Sequence, residues 1–271
     1  MEETSLPRTI TPRIMTASSP DLRAAVSTVA GGVSPGRFGM NLSYQVGDDP
    51  ANVSRNRELF LGLLGIIPSQ LAVPRQVHGS EVRIAEHPGE YDACDGLITN
   101  RRGVYLAISV ADCLPIFLSS AGTGSVGLVH AGWRGCRLGV VSRAIGMLVA
   151  VYGVNPADLT AFIGPGAGAC CYEVGEEVAL EFGEEFITRT PGQKPHLDLQ
   201  AHQKAAIMSA GIPEKSIEVL PLCTICRPEL FHSYRRDGQR SGRMMAICGL
   251  RGGSPSATSG NPPRRTVLPS P

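Results

Sequence analysis

Apolar positions along the chain switch between two periods. Leu59, Leu63 and Leu64 recur at helical spacing through Arg57, and Asn52 stands where a cap is wanted. Leu138, Val141, Ile145, Leu148 and Val149 repeat that spacing before a turn over 153–156. Residues 176–186 and 199–210 also read as helices, the second ended by Gly211 and Pro213. Between them lie short β-rich runs at 103–110, 114–118 and 125–130, with further strands at 217–220 and 244–247. Short strands and few βαβ units predict an α+β fold, a single domain with mixed β-sheets flanked by helices.

That domain is expected over 21–251, with no linker or internal repeat dividing it. Residues 1–20 are expected to be loosely ordered. Residues 252–271, dominated by Pro, Ser and Gly, are expected to be a disordered tail, because such a composition buries too little to offset its ordering entropy. The whole chain of 271 residues is 42% apolar and 18% charged, which suits a packed core. Its formal net charge of +1 gives no positive field for nucleic acid or anionic lipid. No apolar run approaches the roughly 20 residues that span a bilayer, so no membrane partner is expected. The N-terminus lacks the apolar stretch of a secretion signal. Eight cysteines in so long a chain do not make a dense disulfide framework, so the expectation is a cytoplasmic protein with free thiols.

Three short segments put reactive side chains among glycines at strand ends: Arg75-Gln76-Val77-His78-Gly79, Asp112-Cys113, and His130-Ala131-Gly132-Trp133-Arg134. His78, Cys113 and His130 offer two imidazoles and a thiolate, a donor set that suits Zn²⁺ and leaves a fourth position open. Their separations of 35 and 17 residues match no local metal motif, so only the fold can bring them together. Two other readings use the same residues. Cys113 is a nucleophile with His130 as its base and Asp112 as orienting group, or all three are ordinary core side chains. Asp95 and Asp112 are candidates for general acid and base. Cys223 and Cys226 look like half of a zinc ribbon or a redox pair, with buried thiols the simpler reading, and adjacent Cys170 and Cys171 read as packing.

The segments RQVHGSEV, CDGLIT, SVADCLPIFL, VGLVHAGWRG, IGPGAGACCYEVG, LDLQAHQKA, CTICRPELFHSYRRDG and GRMMAI occur in this order. Together they resemble the YfiH-like family, also called the laccase-domain or multicopper polyphenol oxidoreductase family. The resemblance implies an α+β fold distantly like that of deamidating toxins. It implies a zinc site on His78, Cys113 and His130, with copper as the other metal. It implies phosphorolysis of adenosine, inosine, guanosine and methylthioadenosine, and deamination of adenosine. Other family members are described as polyphenol oxidases or as peptidoglycan editing factors acting on a muramyl-serine precursor.

The chain departs from the family's pattern at Val29, where an arginine is usual, and at His232, where an aromatic residue is usual. Arg57, in the matching Asn-Arg pair, is the first substitute for the missing cation, and Arg75 the second. Purine nucleosides and phosphate are the expected partners. Cys113, His130 and Arg57 are then the expected catalytic residues, and Arg75 and Arg134 the substrate-binding ones. Multicopper oxidation needs more imidazoles than six histidines provide.

Overall fold

The structure, a computed structural model, describes residues 8–252. Two six-stranded sheets lie face to face at its centre. In spatial order the first runs Thr9–Ile10, Leu22–Ser27, Met244–Leu250, Tyr105–Val110, Leu71–Pro74 and Gly89–Tyr91. The second runs Ile217–Val219, Leu159–Ile163, Leu114–Ser120, Ser125–Ala131, Gly96–Thr99 and Val82–Ile84. Both are mixed. Leu71–Pro74 pairs parallel with Tyr105–Val110, for example, which pairs antiparallel with Met244–Leu250. The α+β class read from the sequence is the observed one.

Side-chain alternation sorts each strand into two faces. Ala24, Val26, Leu106, Ile108, Val110, Ala246 and Cys248 of the first sheet share a core with Phe117, Val126, Leu128 and Phe162 of the second. The intervening residues face outward. On the first sheet Ala25, Tyr105, Ala107, Met245 and Ile247 pack against Phe60 and Leu61 of the helix Pro50–Leu64. On the second, Ile116, Leu118, Val129 and Ala161 pack against the helices Val140–Tyr152 and Leu199–Ser209. The central strands of this double layer are therefore covered by apolar material on both faces, which explains apolar runs too uniform to show a clean period of two.

Local signals set the helix ends. Asp49, not Asn52, caps Pro50–Leu64 by accepting from the Ala51 N–H, and Gly65 closes the helix in the left-handed conformation. The helix expected over 176–186 stops at Ala179 and resumes only as a 3₁₀ turn at Glu184–Phe186. Within the stretch expected to be loose, Thr9–Ile10 pairs with the strand Leu22–Ser27, and Arg13–Ser18 is helical with Met15 fully buried in the inter-sheet core. One buried methionine anchors a segment whose composition alone suggests little order. Residues 1–7 and the expected tail from 253 onward lie outside the described residues.

Candidate functional site

The first corner of the site follows the strand Leu71–Pro74. Gln76 continues the strand's pairing with its side chain: its amide donates to the Ser109 carbonyl and its oxygen accepts from the Ser109 N–H, both at 2.9 Å. His78 then adopts a φ of 57°, a left-handed conformation that needs support in a non-glycine residue. Asp95 supplies that support. Its carboxylate accepts the backbone N–H groups of Val77, His78 and Gly79 at 3.1, 2.9 and 2.7 Å.

The second corner carries the chain from one sheet to the other. Asp112 sits there with a φ of 88°, and Cys113 enters the strand Leu114–Ser120 directly after it. The third is the end of the strand Ser125–Ala131, where His130 pairs with Pro115 and Ala131 with Leu114. Register thus sets His130 beside Cys113. The ligand atoms of His78, Cys113 and His130 all lie within 4.8 Å of one another, with the two imidazole rings 4.9 Å apart and nearly perpendicular. His78 is exposed, Cys113 half-buried and His130 buried. The three line a cleft of about 560 Å³ that opens to solvent and also receives Trp133, Tyr172 and Tyr234.

These three residues fit a divalent metal. Asp95 is fully buried and ionised: burial opposes its charge, but the His130 hydrogen bond and the backbone donors hold its pKa below the usual range. A carboxylate only accepts, so the 2.8 Å contact from His130 Nδ1 to Asp95 Oδ1 places the proton on Nδ1 and leaves Nε2 free as a ligand. Gly132 provides the room, since a Cβ there would stand 2.9 Å from Cys113 Sγ and 3.4 Å from His78 Cδ2. Burial also opposes the Cys113 thiolate. The charge of His130 and hydrogen bonds with both imidazoles outweigh it and lower the thiol to about 6. His130 answers in kind. Burial disfavours its cation, but Cys113 and Asp95 raise its pKa to about 9.

The cations are distributed differently from the sequence expectation. Arg134 lines the cleft, its guanidinium 4.3 Å from the Trp133 ring. Arg57 does not line it. Its Nε donates to the Leu42 carbonyl at 2.8 Å and its guanidinium covers the Tyr44 ring, because the helix face that carries it packs on the 42–46 loop. Arg75 points away and is paired with Asp92 in the open. The cleft holds Arg235 and Arg243 instead, stacked over Tyr172 and Tyr234 respectively. From the sequence, Arg235-Arg236-Asp237-Gly238 reads either as a phosphate binder or as a surface turn with an internal ion pair, and nothing local singles out Arg243. Val29 lies outside the lining and spends its backbone on Leu230 and Met40.

Both carboxylate candidates are already engaged. The four hydrogen bonds to the Asp95 carboxylate all come from Val77, His78, Gly79 and His130, so it positions the two imidazoles and is turned away from the cleft lining. Asp112 does not orient His130; its two oxygens accept from the Thr224 hydroxyl and the Arg235 N–H. Cys170 and Cys171, expected as packing, and Cys223 and Cys226, expected as half a ribbon, a redox pair or buried thiols, instead form one group: their four sulfurs converge within 4.8 Å of one another, with Cys170 and Cys226 exposed. The remaining histidines stand elsewhere among the described residues, with His202 wedged edge-on between Phe182 and Phe186.

Comparison with known proteins matches residues 23–251 to the family described as multi-copper polyphenol oxidoreductase laccase. A purine nucleoside phosphorylase of Deinococcus radiodurans is 38% identical over 232 residues, covering 83% of this chain and 88% of that protein. The purine nucleoside phosphorylase YlmD of Geobacillus stearothermophilus is 34% identical, covering 84% of this chain and 90% of its own length. The crystal structure of YlmD from Geobacillus stearothermophilus superposes with a TM-score of 0.84 at 30% identity, over 93% of this chain and 98% of that one. The hypothetical protein YfiH of Bacillus licheniformis gives 0.81 at 31% identity, over 86% and 94%.

Proposed function

The chain belongs to the multi-copper polyphenol oxidoreductase laccase family, and on that premise we propose that it is a zinc-dependent purine nucleoside phosphorylase with adenosine deamination as a second activity of the same site. Adenosine, inosine, guanosine and methylthioadenosine are its proposed substrates. The observation that carries the proposal is the meeting of His78, Cys113 and His130 at a cleft that also presents three arginines. Bound by those three side chains, zinc supplies a Lewis acid with an open coordination position.

The chain's own groups cover the rest of phosphorolysis. A phosphate oxygen bonds to the anomeric carbon while the carbon–nitrogen bond to the purine breaks, and its electron pair leaves with the base. Arg134, Arg235 and Arg243 offer planar forks for the phosphate oxygens. Their stacking on Trp133, Tyr172 and Tyr234 fixes those forks at little entropic cost and leaves aromatic edges for a purine. The Tyr172 hydroxyl, which burial pushes up to about 12, stays protonated and is a donor for the departing base. Deamination needs a proton carrier, and Asp112, the one carboxylate among the described residues lining the cleft, keeps a further lone pair on each oxygen beside its bonds from the Thr224 hydroxyl and the Arg235 N–H.

Two of the cleft-lining residues are histidines, too few for a trinuclear copper cluster, which speaks against oxidase chemistry. The lowered Cys113 thiol against a raised His130 backed by Asp95 favours one second reading, a metal-free cysteine hydrolase cutting an amide in a muramyl-serine precursor. Incubation of the purified protein with adenosine and phosphate separates these readings. Adenine with ribose 1-phosphate is expected, and inosine marks deamination. Absence of both products overturns the proposal, and altered muramyl precursors in a deletion strain then favour the hydrolase.

A further inference from the structure

We propose that Cys170, Cys171, Cys223 and Cys226 form a second metal site, a closed tetrathiolate that holds one zinc ion and clamps a wall of the cleft. Four soft donors around one point, with no open position, are the chemistry of a structural rather than a catalytic zinc.

The local backbone is shaped for this set. A turn in which the Cys171 and Tyr172 N–H groups both donate to the Gly168 carbonyl brings two adjacent cysteines to one side. That turn removes the objection that neighbours in sequence cannot share an ion. Gly168 leaves the space: a Cβ there would stand 3.0 Å from Cys223 Cβ and 3.5 Å from the sulfurs of both Cys170 and Cys223. Its N–H donates to Cys223 Sγ at 3.3 Å, and this sulfur also faces the N–H groups of Ile225 and Cys226. Backbone donors aimed at a sulfur support a thiolate.

The sulfurs are grouped rather than paired. Cys226 Sγ lies 3.4 Å from Cys170 Sγ and 3.1 Å from Cys171 Sγ, so two candidates compete for one partner. A disulfide draws one pair alone to about 2.05 Å, whereas here one sulfur stands near-equally close to two others. A tetrahedral ion with Zn–S bonds of about 2.3 Å needs sulfurs about 3.8 Å apart, and these four, all within 4.8 Å of one another, reach that by a small adjustment around their common centre. Cys170 and Cys226 are exposed and give an ion its entry.

The site sits behind the cleft. Cys171 is followed by Tyr172, which lines it. Between Cys223 and Cys226, Thr224 donates through its N–H to Gly166 and through its hydroxyl to Asp112, the corner residue before Cys113. The Arg236 guanidinium holds the Thr224 and Ile225 carbonyls. A zinc ion here joins the 166–172 loop to the 223–226 loop and thereby fixes the turn that presents Cys113.

Metal content of the full chain, purified under reducing conditions, tests this independently of the catalytic reading. About two zinc ions per chain are expected in the unaltered protein. About one is expected in Cys113→Ala, and about one in a Cys223→Ser, Cys226→Ser double variant. Cobalt loaded into folded Cys113→Ala protein is expected to show a thiolate charge-transfer band of four-sulfur intensity, a readout that survives if the double variant fails to fold. Metal-free Cys113→Ala protein with four freely titrating thiols at these positions overturns the site. So does a native mass two or four hydrogens below that of the reduced chain in protein purified without reductant, which means disulfides instead.

Discussion

His130 Nδ1 lies 2.8 Å from Asp95 Oδ1, and the same carboxylate gathers the backbone N–H groups of Val77, His78 and Gly79. One buried charge therefore sets both the tautomer of one imidazole and the loop that presents the other. Asp95→Asn turns an acceptor-only group into one that must aim an N–H₂ at other donors. Metal affinity is expected to fall about 10- to 100-fold, and stability by about 2 kcal/mol or more. Competitive metal titration and urea unfolding measure the two effects.

Gly132 is the gap through which the thiolate reaches the imidazoles. In Gly132→Ala the backbone conformation is allowed, but the new Cβ meets Cys113 Sγ at 2.9 Å. The sulfur must move away from the ligand set. Circular dichroism is expected to stay unchanged while zinc per chain at the His78 site and phosphorolysis both drop.

The arginines separate by position. Arg235→Ala and Arg243→Ala each remove a cation from the cleft and are expected to raise KM for phosphate about tenfold or more, the worth of a charge-assisted hydrogen bond. Arg75→Ala breaks only an exposed pair with Asp92 and is expected to leave kcat and KM unchanged. Arg57→Ala releases the Leu42 carbonyl and the Tyr44 ring, so its effect is expected through a loosened 42–46 loop. Steady-state kinetics with phosphate as the varied substrate sort the four.

In metal-stripped protein Cys113 titrates through about 6, so its alkylation is expected to rise between pH 5 and 7, below the range of an ordinary thiol. The thiolate is favoured in the folded state, so the stability it contributes is lost as pH falls through about 6. His130 is favoured as a cation, and its contribution is lost as pH rises through about 9. The excess thermal stability of metal-free protein over Cys113→Ala is therefore expected to peak between these values. Site-resolved mass spectrometry and melting curves across pH check both.

What the sequence revealed follows the range of its signals. The strands 105–110, 114–120 and 125–131 are uninterrupted apolar runs bounded by turns, so their existence is legible in the sequence and their ends differ from the reading by one or two residues. His78, Cys113 and His130 were legible as reactive types at strand ends. Asp95 was named only as an acid or base, because its bond to His130 spans 35 positions and no local pattern shows it. Arg243 carries no local signal, and Arg235 reads equally as a phosphate binder or a surface turn, since the stacking that brings both into the cleft depends on Tyr172 and Tyr234 being in place. The four-cysteine cluster depends on a parallel bridge between Gly166 and Cys223, which no cysteine spacing encodes.

The decisive experiment is the initial rate of adenine release from adenosine and phosphate in protein stripped of metal, followed as zinc is added back. Loss of turnover on stripping, and its recovery on zinc return in unaltered but not in His130→Ala protein, is the predicted result. Full turnover by the stripped enzyme would contradict it and leave Cys113 and His130 as a metal-free pair.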